Sequence, residues 1–312
     1  MAKIQMKTSE TMTEIFDNFI MSRKAKGLSE KTISSYKSHF KSLGNYLNIE
    51  IPIDDLNRTD LENMVAKMRD SGLAANSISS YVRVLKTFFS WCNSEEITPI
   101  NMARYKSEET IKETYSDDEL KRLLKKPNMR GCAFPEYRTW VIINVLVNNG
   151  TRAATIRNIK NKDVDLENLV IYLRHTKSKK SQVIPLCTEL GSILKEYMRI
   201  RSGSEDDYMF PTENGEQLKE HGLRSSIKRY NNRRGVERTS IHAFRHTFAR
   251  KYLVDCGGNA FTLQRLLGHS TLDMTKHYCA IFDADISKDY DNFSPLAQLN
   301  SNNTRIKMRK SH

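Results

Sequence analysis

The stretch HAFRHTFARKYL (242–253) sets Arg245 between His242 and His246, and LLGHSTLDMTKHYC (266–279) brings His269, His277 and Tyr278 close behind. Guanidinium, imidazole and phenol together suit phosphoryl transfer. An arginine fork donates two parallel hydrogen bonds to a phosphate and keeps its charge at any working pH. A five-coordinate phosphorus needs both non-bridging oxygens neutralised, so a metal-free site wants a second arginine. Arg152 in NNGTRAATIRNI (148–159) is placed for this, just after Gly150 and a helix apolar enough to be buried. Tyr278 can attack as a phenolate, and a histidine can take its proton near neutral pH. A lysine on a β-turn can reach the leaving oxygen, and Lys177 in HTKSKKSQVIPL (175–186) is so placed.

Metal chemistry competes poorly for these residues. His242 and His246 share a helix face, but the zincin pattern needs Glu after the first histidine, and that residue is Ala243. No carboxylate or cysteine nearby supplies a third ligand. Cys92, Cys132, Cys187, Cys256 and Cys279 are scattered without a CxxC, which points to plain thiols. No metal and no cofactor is expected. His246 and His277 read as packing or surface residues.

The chain of 312 residues is long for a single core and suggests two domains. Its formal net charge of +13 is uneven: residues 1–110 hold 15 Lys/Arg against 14 Asp/Glu, and residues 111–312 hold the remaining 35 against 23. The basic second part suits a polyanion, most often nucleic acid. No apolar run is long enough to span a membrane, and the start lacks the apolar core of a signal peptide, so a cytoplasmic, nucleoid-associated protein without a membrane partner is expected.

Apolar spacing predicts four helices at 11–27, 29–47, 59–72 (opened by a Thr59/Glu62 capping box) and 76–92. A polar linker at 99–114 follows. A Ser116/Glu119 capping box restarts the helical pattern, and 136–150 reads as a buried helix. A β-hairpin is expected within 163–186. Helices resume at 188–201, 217–233, 242–256, 259–267 and 271–281. The expected fold is mainly α with a small β-hairpin or sheet, divided into a helical domain (1–98), the linker and a second domain with a basic tail (115–312).

The set GTRAATIRNI, TKSKKSQVIPL, HAFRHTFA and LLGHSTLDMTKHY, in that order, resembles the tyrosine recombinase family of phage-integrase and Xer-like enzymes. Lys177 lies eight residues before Pro185 and His269 nine before Tyr278, as in that family. The resemblance implies a helical, SAM-like core-binding domain and a catalytic domain, forming a C-shaped clamp around duplex DNA. It implies that Tyr278 attacks the scissile phosphate and leaves a 3′-phosphotyrosine bond and a 5′-hydroxyl. Arg152 and Arg245 would clamp the non-bridging oxygens. His242 would accept a proton, His269 would donate to the phosphate, and Lys177 would protonate the departing 5′ oxygen. The covalent bond conserves the energy of the phosphodiester, so neither ATP nor metal is required. Thr155 departs from the pattern: the family often has an acidic residue there, and its absence bears on the tuning of the site.

Around this set, Lys179 and Lys180 beside Lys177, and Arg224, Lys228, Arg229, Arg233 and Arg234 in RSSIKRYNNRRGVER (224–238), are expected to touch the DNA backbone. The partner is then a double-stranded recombination site. The resemblance further implies a homo-tetramer exchanging strands through a Holliday junction, with accessory proteins as possible partners; the segment after Tyr278 either packs in trans onto a neighbour, the first expectation, or closes its own domain's core. A mobile-element integrase or transposase is the first expectation. An Xer-like chromosome or plasmid resolution recombinase, a type IB topoisomerase and a DNA-binding regulator on the same fold are the alternatives.

Overall fold

The computed structural model describes residues 10–102, 105, 113–174, 181–269, 271, 272 and 275. The chain divides into two compact units, residues 1–110 and 111–312. In the first, α1 (Met12–Ala25), α2 (Glu30–Leu43), α3 (Arg58–Asp70) and α4 (Ala75–Ser94) follow the predicted spacing. Long α4 packs against each of the other three. Aromatic rings supply much of the core: Phe16 and Phe40 stack with centroids 3.7 Å apart, and Phe88 meets Phe16 and Phe19 edge-on. Past α4, Ile97, Ile100, Met102 and Tyr105 pack on the same core.

The expected Thr59/Glu62 capping box is not formed. Asn57 is the N-cap, and it exchanges bonds with Asp60, the same reciprocal chemistry two residues earlier. Glu62 instead pairs with Arg58 at 2.8 Å, one helical turn away. The Ser116/Glu119 box does form and opens α5 (Asp117–Leu124).

The second unit is built around α6 (Phe134–Asn149). Trp140, Val141, Ile142, Ile143, Val145 and Leu146 are all buried, so the helix is apolar on every side and sits at the centre of the core. Helices α8 (Thr188–Arg201), α9 (Glu220–Arg233) and α10 (Ile241–Arg250) pack on it. Between α6 and α8 lie the one-turn α7 (Ala153–Ile156) and an antiparallel sheet of β1 (Val164–Asp165), β2 (Val170–Leu173) and β3 (Gln182–Pro185), in that spatial order. The sheet thus has one strand more than a hairpin. Val164 opposes Ile171, and Ile171 opposes Ile184, which turns the buried face inward. Beyond Arg250 the ladder of α10 slips into a π turn, Lys251–Asp255, and α11 (Ala260–Leu267) follows. Among the described residues, no helix is long and apolar enough to cross a membrane.

The amino end of the unit braces α10. The Tyr115 amide donates to Thr247 Oγ1 at 2.8 Å, and the Tyr115 ring stacks on Phe244 with centroids 4.1 Å apart. Asn231 of α9 donates to the Tyr115 hydroxyl and to the Arg238 carbonyl. This buried polar network fixes the helix that carries His242 and Arg245.

Candidate active site

Helix α6 stops at Gly150, whose φ of 58° is left-handed. A side chain there would be strained and crowded: a Cβ would lie 2.6 Å from Phe248 Cδ1 and 3.0 Å from Leu267 Cδ2. The stop turns the chain so that Arg152 begins α7 and leaves the Gly150 carbonyl facing α10. Arg245 Nη1 donates to that carbonyl at 2.9 Å, and Arg245 Nη2 donates to the Leu267 carbonyl at 2.8 Å. Arg245 is only 6% exposed, and a buried guanidinium needs acceptors for its N–H groups. Arg152, half-buried, reaches the same place. Its Nη1 lies 3.2 Å from the Leu267 carbonyl and 3.4 Å from that of Gly268, and its Nη2 also reaches Gly268 at 3.4 Å.

Both arginines are therefore gathered by the carboxyl end of α11. The last carbonyls of a helix lack intrahelical partners and carry partial negative charge, so they attract cations. Gly268, left-handed at φ 61°, closes this helix and presents the carbonyls outward. The two preceding carbonyls, those of Arg265 and Leu266, accept from Gln182 Nε2 at 2.6 and 2.7 Å.

His242 lies on α10 one turn before Arg245, with much of its surface exposed. Partial burial of the ring, and then the positive charges of Arg245, Arg224 and Arg152, hold its pKa below the ordinary histidine value, with Glu220 opposing. A neutral imidazole at physiological pH can accept a proton. Arg224→Gln, by removing one of these charges, is expected to raise the His242 pKa. The acid limb of a single-turnover cleavage profile then moves to higher pH, and an unmoved limb would show that His242 is not the group titrating.

His269 follows Gly268 directly. Its Nδ1 is 2.9 Å from the hydroxyl of Thr275, which is fully buried. Its amide and carbonyl are tied to Gln264. Arg152, His242, Arg245 and His269 thus come together from α7, α10 and the end of α11. Lys177, Lys179, Lys180 and Tyr278 lie outside the described residues, as do the residues after Thr275 and most of the predicted helix 271–281. The strand leading to Lys177 is anchored by Arg174, which donates to the buried Asp163 at 2.7 Å.

The basic segment 224–238 falls into two parts. Arg224, Lys228 and Arg229 are exposed on α9, with Arg224 paired to Glu220 at 2.7 Å and close enough to shift His242. Nine and ten residues after Arg224, about 14–15 Å along a helix, Arg233 and Arg234 pair with Glu136 at 3.4 and 3.2 Å. Arg234 also lies 3.5 Å over the Tyr230 ring. Residue type and spacing do not single out Gln182, Thr275 or the Tyr115–Thr247 brace. Thr275 carries a faint signal, since it sits between His269 and Tyr278; Gln182 reads as one more strand residue.

The phage integrase family model matches residues 113–284, and the phage integrase N-terminal SAM-like domain model matches residues 16–96. Tyrosine recombinase XerC of Thermodesulfovibrio yellowstonii is 25% identical over 286 residues, covering 88% of this chain and 93% of that protein. A structure of the Tn1549 transposon integrase with a circular intermediate DNA superposes with a TM-score of 0.73 at 21% identity, covering 86% of this chain and 95% of the other. A lambda integrase tetramer bound to a Holliday junction gives 0.71 at 20% identity, covering 87% and 78%. These two likenesses concern the fold. The chain belongs to the phage integrase family. As a tyrosine recombinase it is an enzyme that cleaves and rejoins DNA.

Proposed function

We propose that the chain is the site-specific recombinase of a mobile element, an integrase or transposase, acting through a 3′-phosphotyrosine intermediate and a Holliday junction. The observation that carries the chemistry of this reading is the convergence of Arg152 and Arg245 on one carbonyl, that of Leu267, with His242, its pKa lowered, on the helix of Arg245. Two guanidiniums fixed side by side can each take one non-bridging oxygen of a phosphodiester. In the proposed step the Tyr278 oxygen bonds to phosphorus while its proton passes to His242. The bond from phosphorus to the 5′ oxygen breaks, and Lys177 protonates that oxygen. His269, steadied by Thr275, donates to the phosphate. The energy stays in the phosphotyrosine bond, so rejoining by the 5′-hydroxyl runs the same steps backwards without ATP or metal.

The proposed partner is duplex DNA, gripped by a domain at 1–98 and a catalytic domain at 115–312 joined through 99–114. Arg224, Lys228 and Arg229 are suited to touch its backbone, with Lys179 and Lys180 beside the site. Arg233 and Arg234 would have to exchange Glu136 for phosphate to join them. A homo-tetramer on a junction is proposed in line with the lambda integrase structure, with the segment after Tyr278 packing in trans. A second reading, chromosome or plasmid resolution, is favoured by the nearly full-length match to a protein named XerC. Either activity belongs on cytoplasmic, nucleoid-associated DNA.

The test uses nicked duplexes from the DNA flanking the gene, built so that the cleaved strand escapes. A covalent protein–DNA adduct is expected in EDTA, with the DNA-bearing peptide mapping to Tyr278. Strand-exchange products on intact sites then separate a recombinase from a topoisomerase. Tight binding without any adduct would turn the reading towards a regulator, and an adduct mapping elsewhere would overturn the assignment of Tyr278.

A further inference from the structure

We infer that Gln182 is a positioning residue for the arginine clamp, holding the end of α11 at which Arg152 and Arg245 are anchored. The inference rests on the recombinase reading of that site and deepens it. Gln182 begins β3, and its amide nitrogen donates one hydrogen to the Arg265 carbonyl at 2.6 Å and the other to the Leu266 carbonyl at 2.7 Å. The next two carbonyls, those of Leu267 and Gly268, are the acceptors of the two arginines. Four successive carbonyls of one helix end are thus held by three side chains: a neutral amide on the first two and guanidiniums on the others. The Gln182 Oε1 atom lies 2.6 Å from the position of a Cβ on Gly268, so the side chain lies flush against the closing turn.

The physical consequence follows from the length of α11. It has 8 residues, and so short a helix depends on tertiary contacts to hold its ends. Arg152 is a loose anchor, with bonds of 3.2 to 3.4 Å, and cannot define the turn by itself. Gln182 reaches it from the sheet, where β3 pairs with β2 along its length. Without the amide, the turn is left to its backbone bonds, Gly268 N–H to the Arg265 carbonyl at 3.1 Å and His269 N–H to the Gln264 carbonyl at 3.0 Å, and to the arginines themselves, so the Leu267 and Gly268 carbonyls shift and both guanidiniums lose register with the phosphate oxygens. Gln182 bonds to main chain here, which makes its role one of placement.

The test compares Gln182→Met and Gln182→Glu, which keep the length and lack the donors, with wild type. Two readouts are taken. Amide hydrogen exchange at Gly268 and His269 needs no DNA, and at least about tenfold faster exchange is expected in both variants. Single-turnover adduct formation is measured on nicked duplexes with an ordinary scissile phosphate and with a methylphosphonate there. The methylphosphonate lacks one anionic oxygen and leans less on the clamp. On phosphate the rate is expected to fall about 10- to 100-fold, and on methylphosphonate by no more than about threefold.

Unchanged exchange at Gly268 and His269 would overturn the inference whatever the DNA results. Equal losses on the two substrates would overturn it too, since a general loosening of the fold does not distinguish them. Wild-type cleavage with undiminished variants would sink this inference alone. Absence of a wild-type adduct would sink it together with the recombinase reading.

Discussion

Arg245→Lys is expected to slow formation of the covalent DNA adduct by about 10²- to 10³-fold while DNA binding persists. That is the usual loss when one preorganised donor to a developing oxyanion is removed. The ammonium of lysine keeps the charge and loses the fork. In the native site that fork bridges the carbonyls of Gly150 and Leu267, which lie on different elements. A single ammonium on a flexible stem cannot satisfy both and meet a phosphate oxygen in fixed register. One buried carbonyl left without its donor costs about 1–3 kcal/mol, so the domain should also melt a few degrees lower. Arg152→Lys provides the contrast. Its bonds are longer and its side chain half-exposed, so the rate should fall by a similar factor with a smaller change in melting. Single-turnover kinetics on nicked DNA, beside thermal unfolding without DNA, read the two effects separately. If Arg245→Lys cleaves within about tenfold of wild type, the guanidinium is not one jaw of the clamp.

Gly150→Ala should damage the site through the backbone. The left-handed conformation at φ 58° costs an alanine about 1–2 kcal/mol. The added methyl meets Phe248 Cδ1 at 2.6 Å, and a retreat of that partly buried ring gives up its packing on the cluster of Ala249, Leu263 and Leu267. Overpacking of this kind costs a further ~1–3 kcal/mol. Together they predict a fall in melting temperature of about 10 °C for a unit of this size. The same push moves Leu267, an anchor of both arginines, so cleavage falls with stability. Circular dichroism melting of Gly150→Ala decides the point: a melting temperature within about 2 °C of wild type would mean that the contact relaxes cheaply.

Much of this architecture can be read from residue types and spacing, because amphipathic helices announce themselves. Met12, Ile15, Phe16, Phe19 and Ile20 are all buried on α1 in the predicted pattern, and α6 is as uniformly buried as its apolar run suggests. Legibility fails where local chemistry is degenerate. Thr59/Glu62 and Asn57/Asp60 offer the same capping pattern two residues apart, and the pairing of Arg58 with Glu62 goes with the earlier start. Strand β1, only 2 residues long, is too short for any alternation to show; it exists through its bonds to β2. In the site, the two arginines and His242 are legible because side-chain chemistry selects them. Their anchors are not, since a carbonyl belongs to every residue alike. Gln182 is illegible for a related reason: its amide is spent on main chain and fits no motif.

The anchoring of both guanidiniums on main-chain oxygens bears on transplantation. Copying Arg152 and Arg245 onto the surface of another helical protein would move the charges and leave their seats behind. The portable unit is larger: a short helix closed by a left-handed glycine, a second glycine that stops a neighbouring helix against it, and the two arginines between. The outward side of α11 matters less to those seats. The Phe261 side chain, 64% exposed there, can be exchanged for another helix-forming one without touching the carbonyls that seat the clamp.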